Sequence, residues 1–256
     1  SYAKEILTKE FGEGLEETLL KRKKDLFGIL NGIDYEIFSP EKDKEIKVNY
    51  SLKDLEKKEI NKRELQKLCQ LKITDAPVFG FIGRLTNQKG SELIYQIAPK
   101  LIKENCQFVF LGQGQELYEN QLKELALKFK ENVYTKIGFD PSLAQKIYAG
   151  VDIFLMPSLF EPCGLGQMIA MRYGSIPIVR SVGGLKDSVK NVRIFKNKIF
   201  GTGFIFKKYS SLALLKAIRF ALKLFKNKKI WRKIQKNGMK EDFSWTNSAK
   251  KYLKLY

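Results

Sequence analysis

From residue 77 onward, short apolar runs alternate with longer stretches whose apolar residues recur at helical spacing. Val78-Phe79-Gly80-Phe81-Ile82-Gly83, Phe108–Gly112, Val133–Ile137, Val151–Met156 and Ile176–Arg180 read as strands, and Gly203–Phe206 as one more. Between them, Leu93–Ile102, Leu117–Phe129, Pro141–Ala149 and Gln167–Tyr173 read as helices. Continuous apolar strands are buried on both faces. The alternation therefore predicts a parallel sheet with helices packed on each side, a Rossmann-like doubly wound α/β domain. In such a domain, ligands sit at the carboxyl ends of the strands.

The flanking segments differ. Gly14–Leu20 is helix-like, and Asn31-Gly32 and Ser39-Pro40 are turn signals. Between Glu41 and Lys72 the chain is highly charged, with Leu52, Leu55, Leu65 and Leu68 at helical spacing. That pattern predicts exposed helices on the margin of the domain. Leu212–Phe225, Trp231–Gln235 and Ala249–Leu255 predict a helical tail.

Composition changes this picture in few places. The 256 residues are 44% hydrophobic, enough for a substantial core. No apolar run approaches the roughly 18–20 residues needed to span a bilayer. Ser1-Tyr2-Ala3-Lys4-Glu5 lacks the layout of a secretory signal, and the missing initiator Met points to a fragment or a processed product. The cysteines, Cys69, Cys106 and Cys163, are odd in number and lack metal-ligand spacing, so neither a disulfide framework nor a zinc site is expected. There is no histidine, which removes Ser-His-Asp and Cys-His catalysis unless a partner domain supplies the imidazole. The net charge of +19 raises polyanion binding. Its source is 39 Lys against 8 Arg, a pattern of lysine-enriched exposed faces rather than of a nucleic-acid reader, which concentrates Arg and aromatics on one surface.

Three loops at strand ends carry residues suited to a phosphorylated sugar. Gly83-Arg84-Leu85-Thr86-Asn87-Gln88-Lys89-Gly90 brings an Arg and a Lys to one turn. A pyrophosphate that gains charge as a glycosidic bond breaks needs such cations, although two ordinary surface cations would look the same. Pro157–Gln167 contains Glu161, a candidate partner for sugar hydroxyls or a mere helix cap. It also contains Cys163, an inert small side chain on the plainer reading, and Gly164 and Gly166, which leave backbone N–H groups free near a helix start. Arg180–Leu185 holds a Gly pair that a simple loop turn explains. Gly112-Gln113-Gly114 lacks the third Gly of a dinucleotide fingerprint, since position 117 is Leu, and no segment fits a P-loop.

Taken in order, these segments resemble the starch synthase and bacterial glycogen synthase family of GT-B glycosyltransferases. The resemblance rests on Phe11–Glu16, Asp25–Asp34 with its Asn31-Gly32-Ile33-Asp34, Arg84-Leu85 with Gln88-Lys89-Gly90, and Leu111–Gly114. It continues through Ala149–Asp152, Pro157–Leu165 with its Glu161-Pro162-Cys163-Gly164-Leu165, Val182–Leu185 and Gly201–Phe204. It implies two Rossmann-like domains around a cleft, with this chain as the C-terminal half. Residues 1–30 would be the trailing piece of the N-terminal domain, and 31–72 a linker with charged marginal helices. Residues 73–238 would be the donor domain, and 239–256 a helix returning towards the N-terminal domain. The substrates implied are ADP-glucose and an α-1,4-glucan, with no cofactor, no specific nucleic acid and no membrane. The setting implied is a bacterial cytoplasm or a plastid stroma.

By the same resemblance, Arg84 and Lys89 hold the donor diphosphate and Glu161 contacts the donor sugar. Cys163, Gly164, Leu165 and Gly166 form the loop offering N–H groups, and Phe139 stands beside the adenine. The implied reaction is retaining: the acceptor 4-hydroxyl attacks on the face from which ADP leaves. Two positions depart from the wider pattern. Residue 166 is Gly where bacterial members usually carry Thr, and residue 169 is Ile where many GT-B relatives have a second Glu. The family's N-terminal active-site groups, including its histidine, lie outside this chain. Three alternatives stay open: a transferase using a UDP- or GDP-sugar, a non-catalytic nucleotide- or glucan-binding remnant, and last a nucleic-acid binder.

Overall fold

Six strands form one parallel sheet: β1 (Val78–Ile82), β2 (Gln107–Gly112), β3 (Val133–Ile137), β4 (Ile153–Met156), β5 (Ile176–Arg180) and, in a sixth position, the strand Phe204–Phe206. The computed structural model describes residues 1–196 and 198–255; Asn197 and Tyr256, inside the expected 73–238 and 239–256 segments, lie outside the described residues. The strand order is β3-β2-β1-β4-β5, with Phe204–Phe206 at the far edge beside β5. The chain winds outward from β1 in one direction, then returns to the centre and winds outward in the other. The sheet order reverses between β1 and β4, and there the two crossovers diverge and leave a crevice at the strand ends.

The side-chain period of two sends alternate residues of each strand into different cores. On one face Phe79, Phe108 and Phe110 stack, with ring centroids 5.0 and 5.8 Å apart, under α4 (Ser91–Lys103), α5 (Glu116–Lys128) and α9 (Ser211–Phe225). On the other face Val78, Val109 and Leu111 pack with α3 (Lys58–Leu68) and α6 (Pro141–Gly150). Gly80 is required by that packing: a side chain there would meet Ile147 at 2.9 Å and Val151 at 3.0 Å. The remaining helices are α1 (Tyr2–Glu5), α2 (Glu16–Lys21), α7 (Gly166–Arg172), α8 (Gly183–Ser188), α10 (Lys228–Met239) and α11 (Trp245–Tyr252). Among the described residues no helix is long and apolar enough to cross a membrane.

Several expectations need correction. The charged 41–72 segment exposes most of its charges, such as Glu41, Lys42, Lys44, Lys47, Lys53 and Lys67, but α3 turns Lys58, Asn61, Lys62 and Gln66 inward. Lys62 Nζ sits 2.7 Å from Asp152 Oδ2, and that oxygen also accepts from Val78 N–H at 2.9 Å. Lys58 Nζ donates to the Tyr148 and Ala149 carbonyls and to Ser175 Oγ at 3.2, 2.7 and 2.9 Å, capping the carboxyl end of α6. The Lys pattern thus looked solvated although these two lysines are structural.

Asn31-Gly32 forms no turn but leads directly into Ile33, which bridges to Ser244. Its glycine is needed because Trp245 backbone lies 2.4 Å from where a Cβ would stand. There Ile33 N–H donates to Phe243 C=O at 2.8 Å, which anchors the C-terminal segment. The last helix spans Trp245–Tyr252 rather than 249–255. Pairing of Arg193–Phe195 (β6) with Lys198–Phe200 (β7) adds an antiparallel ladder that periodicity did not reveal.

Burial pushes the Lys58 ammonium down to about 7 from 10.5, with Arg232 and Lys62 adding to the fall and Asp152 opposing it. Between those two values the unfolded chain carries a proton that the folded chain has released, so stability should rise with pH across the window. For one proton the slope is at most about 1.4 kcal/mol per pH unit. Lys58→Met should flatten that rise in urea denaturation followed from pH 7 to 10.5; an unchanged slope would contradict the assignment.

Candidate functional site

The crevice at the switch point is bounded by the loops that follow β1 and β4. Their close approach depends on Gly90, whose φ of 72° is left-handed and whose missing Cβ would stand 2.4 Å from Pro157 C=O. Leu159 N–H donates to Gln88 C=O at 2.8 Å and ties the two loops together. Across this junction Lys89 Nζ meets Glu161 Oε2 at 2.6 Å, with Ser158 Oγ 3.2 Å from the same oxygen. Glu161 is buried, and Lys89 is mostly so, so each charge finds its partner in the other. Arg84 is exposed on the rim, and its guanidinium donates to Gln88 Oε1 at 3.0 Å.

The second half of the site is backbone. Gly164 has φ of 70°, and Leu165 caps α7. Gln167, fully buried on α7, donates through Nε2 to the carbonyls of Cys163 and Gly164 at 3.1 and 2.8 Å and to Ser188 Oγ at 2.9 Å. With both carbonyls drawn towards Gln167, this loop is tied to α7 beside the crevice. Burial pushes the Cys163 thiol up, which keeps it protonated and suits a small packing residue.

Below the loop lies the Gly pair read from sequence as a turn. It starts α8, and both residues touch the Glu161–Cys163 backbone. A Cβ on Gly183 would stand 2.0 Å from Glu161 C=O, and one on Gly184 2.1 Å from Cys163 C=O. Gly184 N–H donates to Glu161 C=O at 3.0 Å. Arg180 closes the other side: its guanidinium donates to the carbonyls of Leu159 and Ser158 and stands 5.5 Å over the Tyr209 ring.

The loops after β1 and β4 flank an open cavity of about 480 Å³ whose lining includes Arg84, Lys89, Glu161, Cys163, Gly164, Leu165 and Gly166. Seven of the eight residues singled out from sequence meet there. Phe139 does not. It lies exposed in an adjoining recess of about 280 Å³, which shares Ile82, Gly83 and Arg84 with the cavity and includes Leu111, Gly112 and Gly138 at the ends of β2 and β3. A chamber carrying Arg84, Lys89 and Glu161, joined at Arg84 to a smaller, mostly apolar recess, suits a ligand with an anionic centre, a hydroxyl-rich end and an apolar end.

Residues 62–240 match the family model for glycosyl transferases group 1. The chain belongs to this family. Among relatives of these group 1 glycosyl transferases, the glycogen synthase of Kosmotoga olearia is 51% identical over the whole chain and that of Thermosipho africanus 50%; the chain covers 54% and 53% of them. It thus spans about half the length of the curated relatives it matches. The catalytic domain of starch synthase IV from Arabidopsis thaliana, solved with ADP and acarbose, superposes with a TM-score of 0.93 at 38% identity, over all of this chain and 53% of that one. A glycosyltransferase from Rickettsia africae, at 19% identity and TM-score 0.69, shares the fold. The resemblance to starch and glycogen synthases therefore holds along the full chain.

Sequence reasoning missed Gln167, Ser158 and Arg180. A glutamine at the start of a helix beside a Gly-rich loop was a readable signal for Gln167. Nothing in the sequence placed Arg180 under Leu159. Gly184→Ala should force the Cys163 carbonyl away and destabilise the chain by about 1–3 kcal/mol in thermal unfolding; a change within about 0.5 kcal/mol, as at an ordinary surface site, would contradict the packing described.

Proposed function

We propose that this chain is the donor-binding half of a retaining glucosyltransferase that extends an α-1,4-glucan from ADP-glucose. The observation that carries the reading is the convergence of Arg84, Lys89 and Glu161, from two different strand-end loops, on one cavity at the switch point. Support also comes from relatives known as glycogen synthases and from the starch synthase solved with ADP and acarbose.

In this reading Arg84 and Lys89 bind the diphosphate, and Phe139 lies beside the adenine. The Gly164 and Leu165 N–H groups serve phosphate and sugar. Glu161 takes the sugar hydroxyls and favours the positive charge that develops on the ring. The bond from sugar C1 to the ADP oxygen breaks as the acceptor 4-hydroxyl bonds to C1 on the same face, and the departing phosphate accepts the hydroxyl proton. Arg84 and Lys89 act most strongly at that moment, when negative charge builds on the leaving group. Lys89 must then exchange part of its contact with Glu161 for phosphate oxygens, which leaves the carboxylate free to face the sugar.

Residues 1–30 belong in this reading to the trailing edge of an N-terminal synthase domain, and 73–238 to the donor domain. Residues 239–256 return towards the N-terminal domain, and 31–72 join the donor domain through α3. The acceptor groove and the rest of the cleft would come from the half of such a synthase that lies beyond the span this chain matches. The bacterial origin of the glycogen synthases it matches favours a bacterial cytoplasm over a plastid.

Calorimetric titration should show saturable binding of ADP in preference to UDP and GDP, weakened about tenfold or more in Arg84→Ala through loss of a charge-assisted contact. Equal binding of all three nucleotides that disappears with salt would favour a non-specific polyanion surface. The purified chain alone should elongate no glucan primer from labelled ADP-glucose. Turnover above background would show that the cleft is complete without the other half.

A further inference from the structure

The turn beneath Glu161 is itself held from outside the sheet. Gly183 N–H donates to both carboxylate oxygens of Glu5, at 2.9 and 3.0 Å. Glu5 is the last residue of α1, and α1 packs along α8. Ser1 Oγ donates to Asp187 Oδ1 on α8 at 2.6 Å, and Tyr2 Cβ stands 3.5 Å from the point where a Gly183 side chain would begin. One residue further, Gly184 N–H donates to Glu161 C=O at 3.0 Å. Glu5, the Gly pair and Glu161 therefore form a continuous chain of contacts from the N-terminal segment to the floor of the cavity. A carboxylate accepting from backbone N–H makes a charge-assisted bond, about twice as strong as a neutral one.

We propose that Glu5 is a positioning residue for Glu161. Its carboxylate pins the Gly183–Gly184 turn, and the turn pins the backbone from which Glu161 reaches Lys89 and the donor sugar. Docking of residues 1–5 is thereby coupled to the geometry of the site. When the segment lifts, Gly183 loses its acceptor, the grip on Glu161 C=O loosens, and the sugar end of the cavity loses definition first. The diphosphate end, built from the loop after β1, keeps its own support through Gly90 and Gln88. The sugar part of this inference rests on the donor-site reading above; the contact chain itself does not.

Two measurements on the full 256-residue chain test it, for wild type, Glu5→Ala and Glu5→Gln. The first is amide hydrogen exchange at Gly183 and Gly184. Glu5→Ala should speed exchange at both about tenfold or more, as local opening becomes easier, and Glu5→Gln, which keeps an acceptor oxygen, should restore most of the protection. The second is calorimetric affinity for ADP and for ADP-glucose. Glu5→Ala should weaken ADP-glucose about five- to tenfold and ADP less than about twofold, a split that general destabilisation would not produce. Unchanged exchange at Gly184, or equal loss for both ligands, would overturn the proposal. If wild type binds neither ligand, the donor-site reading fails, and exchange at Gly183 and Gly184 still decides whether Glu5 holds the turn.

Discussion

Two backbone segments, 161–164 and 183–184, approach so closely that no side chain fits between them, and the site is arranged around that contact. Each Gly of the pair would place a Cβ within about 2 Å of a carbonyl oxygen of the loop above. The approach lets Gly184 N–H reach Glu161 C=O. It also lets Ser188 on α8 meet Gln167 on α7, so one buried glutamine can hold two loop carbonyls at once. A loop over a crevice would ordinarily be mobile. Here it is fastened by backbone contacts from below, by Gln167 from inside and by Arg180 from the side.

Electrostatics completes what packing begins. A buried carboxylate is costly unless paired, and Lys89 supplies the pair. The Lys89–Glu161 contact at 2.6 Å joins the loops after β1 and β4 across the switch point, the place where a parallel sheet leaves its crevice. An anionic ligand entering there competes with Glu161 for Lys89. The same pair that joins the two loops is thus suited to rearrange if an anion binds, while Arg84 lies on the rim with its guanidinium donating to Gln88.

Most of the sheet was legible because its strands are buried on both faces and separated by helices of clear period. β5, Ile176–Arg180, keeps the bounds that its buried apolar run gives, and the edge strand β3, Val133–Ile137, does so with only Val133 buried. The site loops were legible through residue chemistry at strand ends, and seven of eight candidates share one cavity. What failed did so for physical reasons. α3 reads as a solvated helix because Lys58 and Lys62 bond to the end of α6 and to Asp152, partners that are remote in sequence. β6 and β7 have three residues each, so Ile194-Phe195 and Ile199-Phe200 are too short to show a strand period. The Gly pair at 183–184 was visible, but the reason for it, a tertiary approach of two backbones, has no local signature.

The most direct measurement is a crystal structure of the chain grown with ADP-glucose. The account predicts diphosphate oxygens against Arg84 and Lys89, the adenine in the recess beside Phe139, and the glucosyl hydroxyls on Glu161 with the Lys89–Glu161 contact lengthened. Nucleotide bound instead in the basic groove of Arg219, Lys223, Lys226 and Lys228, or a cavity unchanged at saturating ligand, would contradict it.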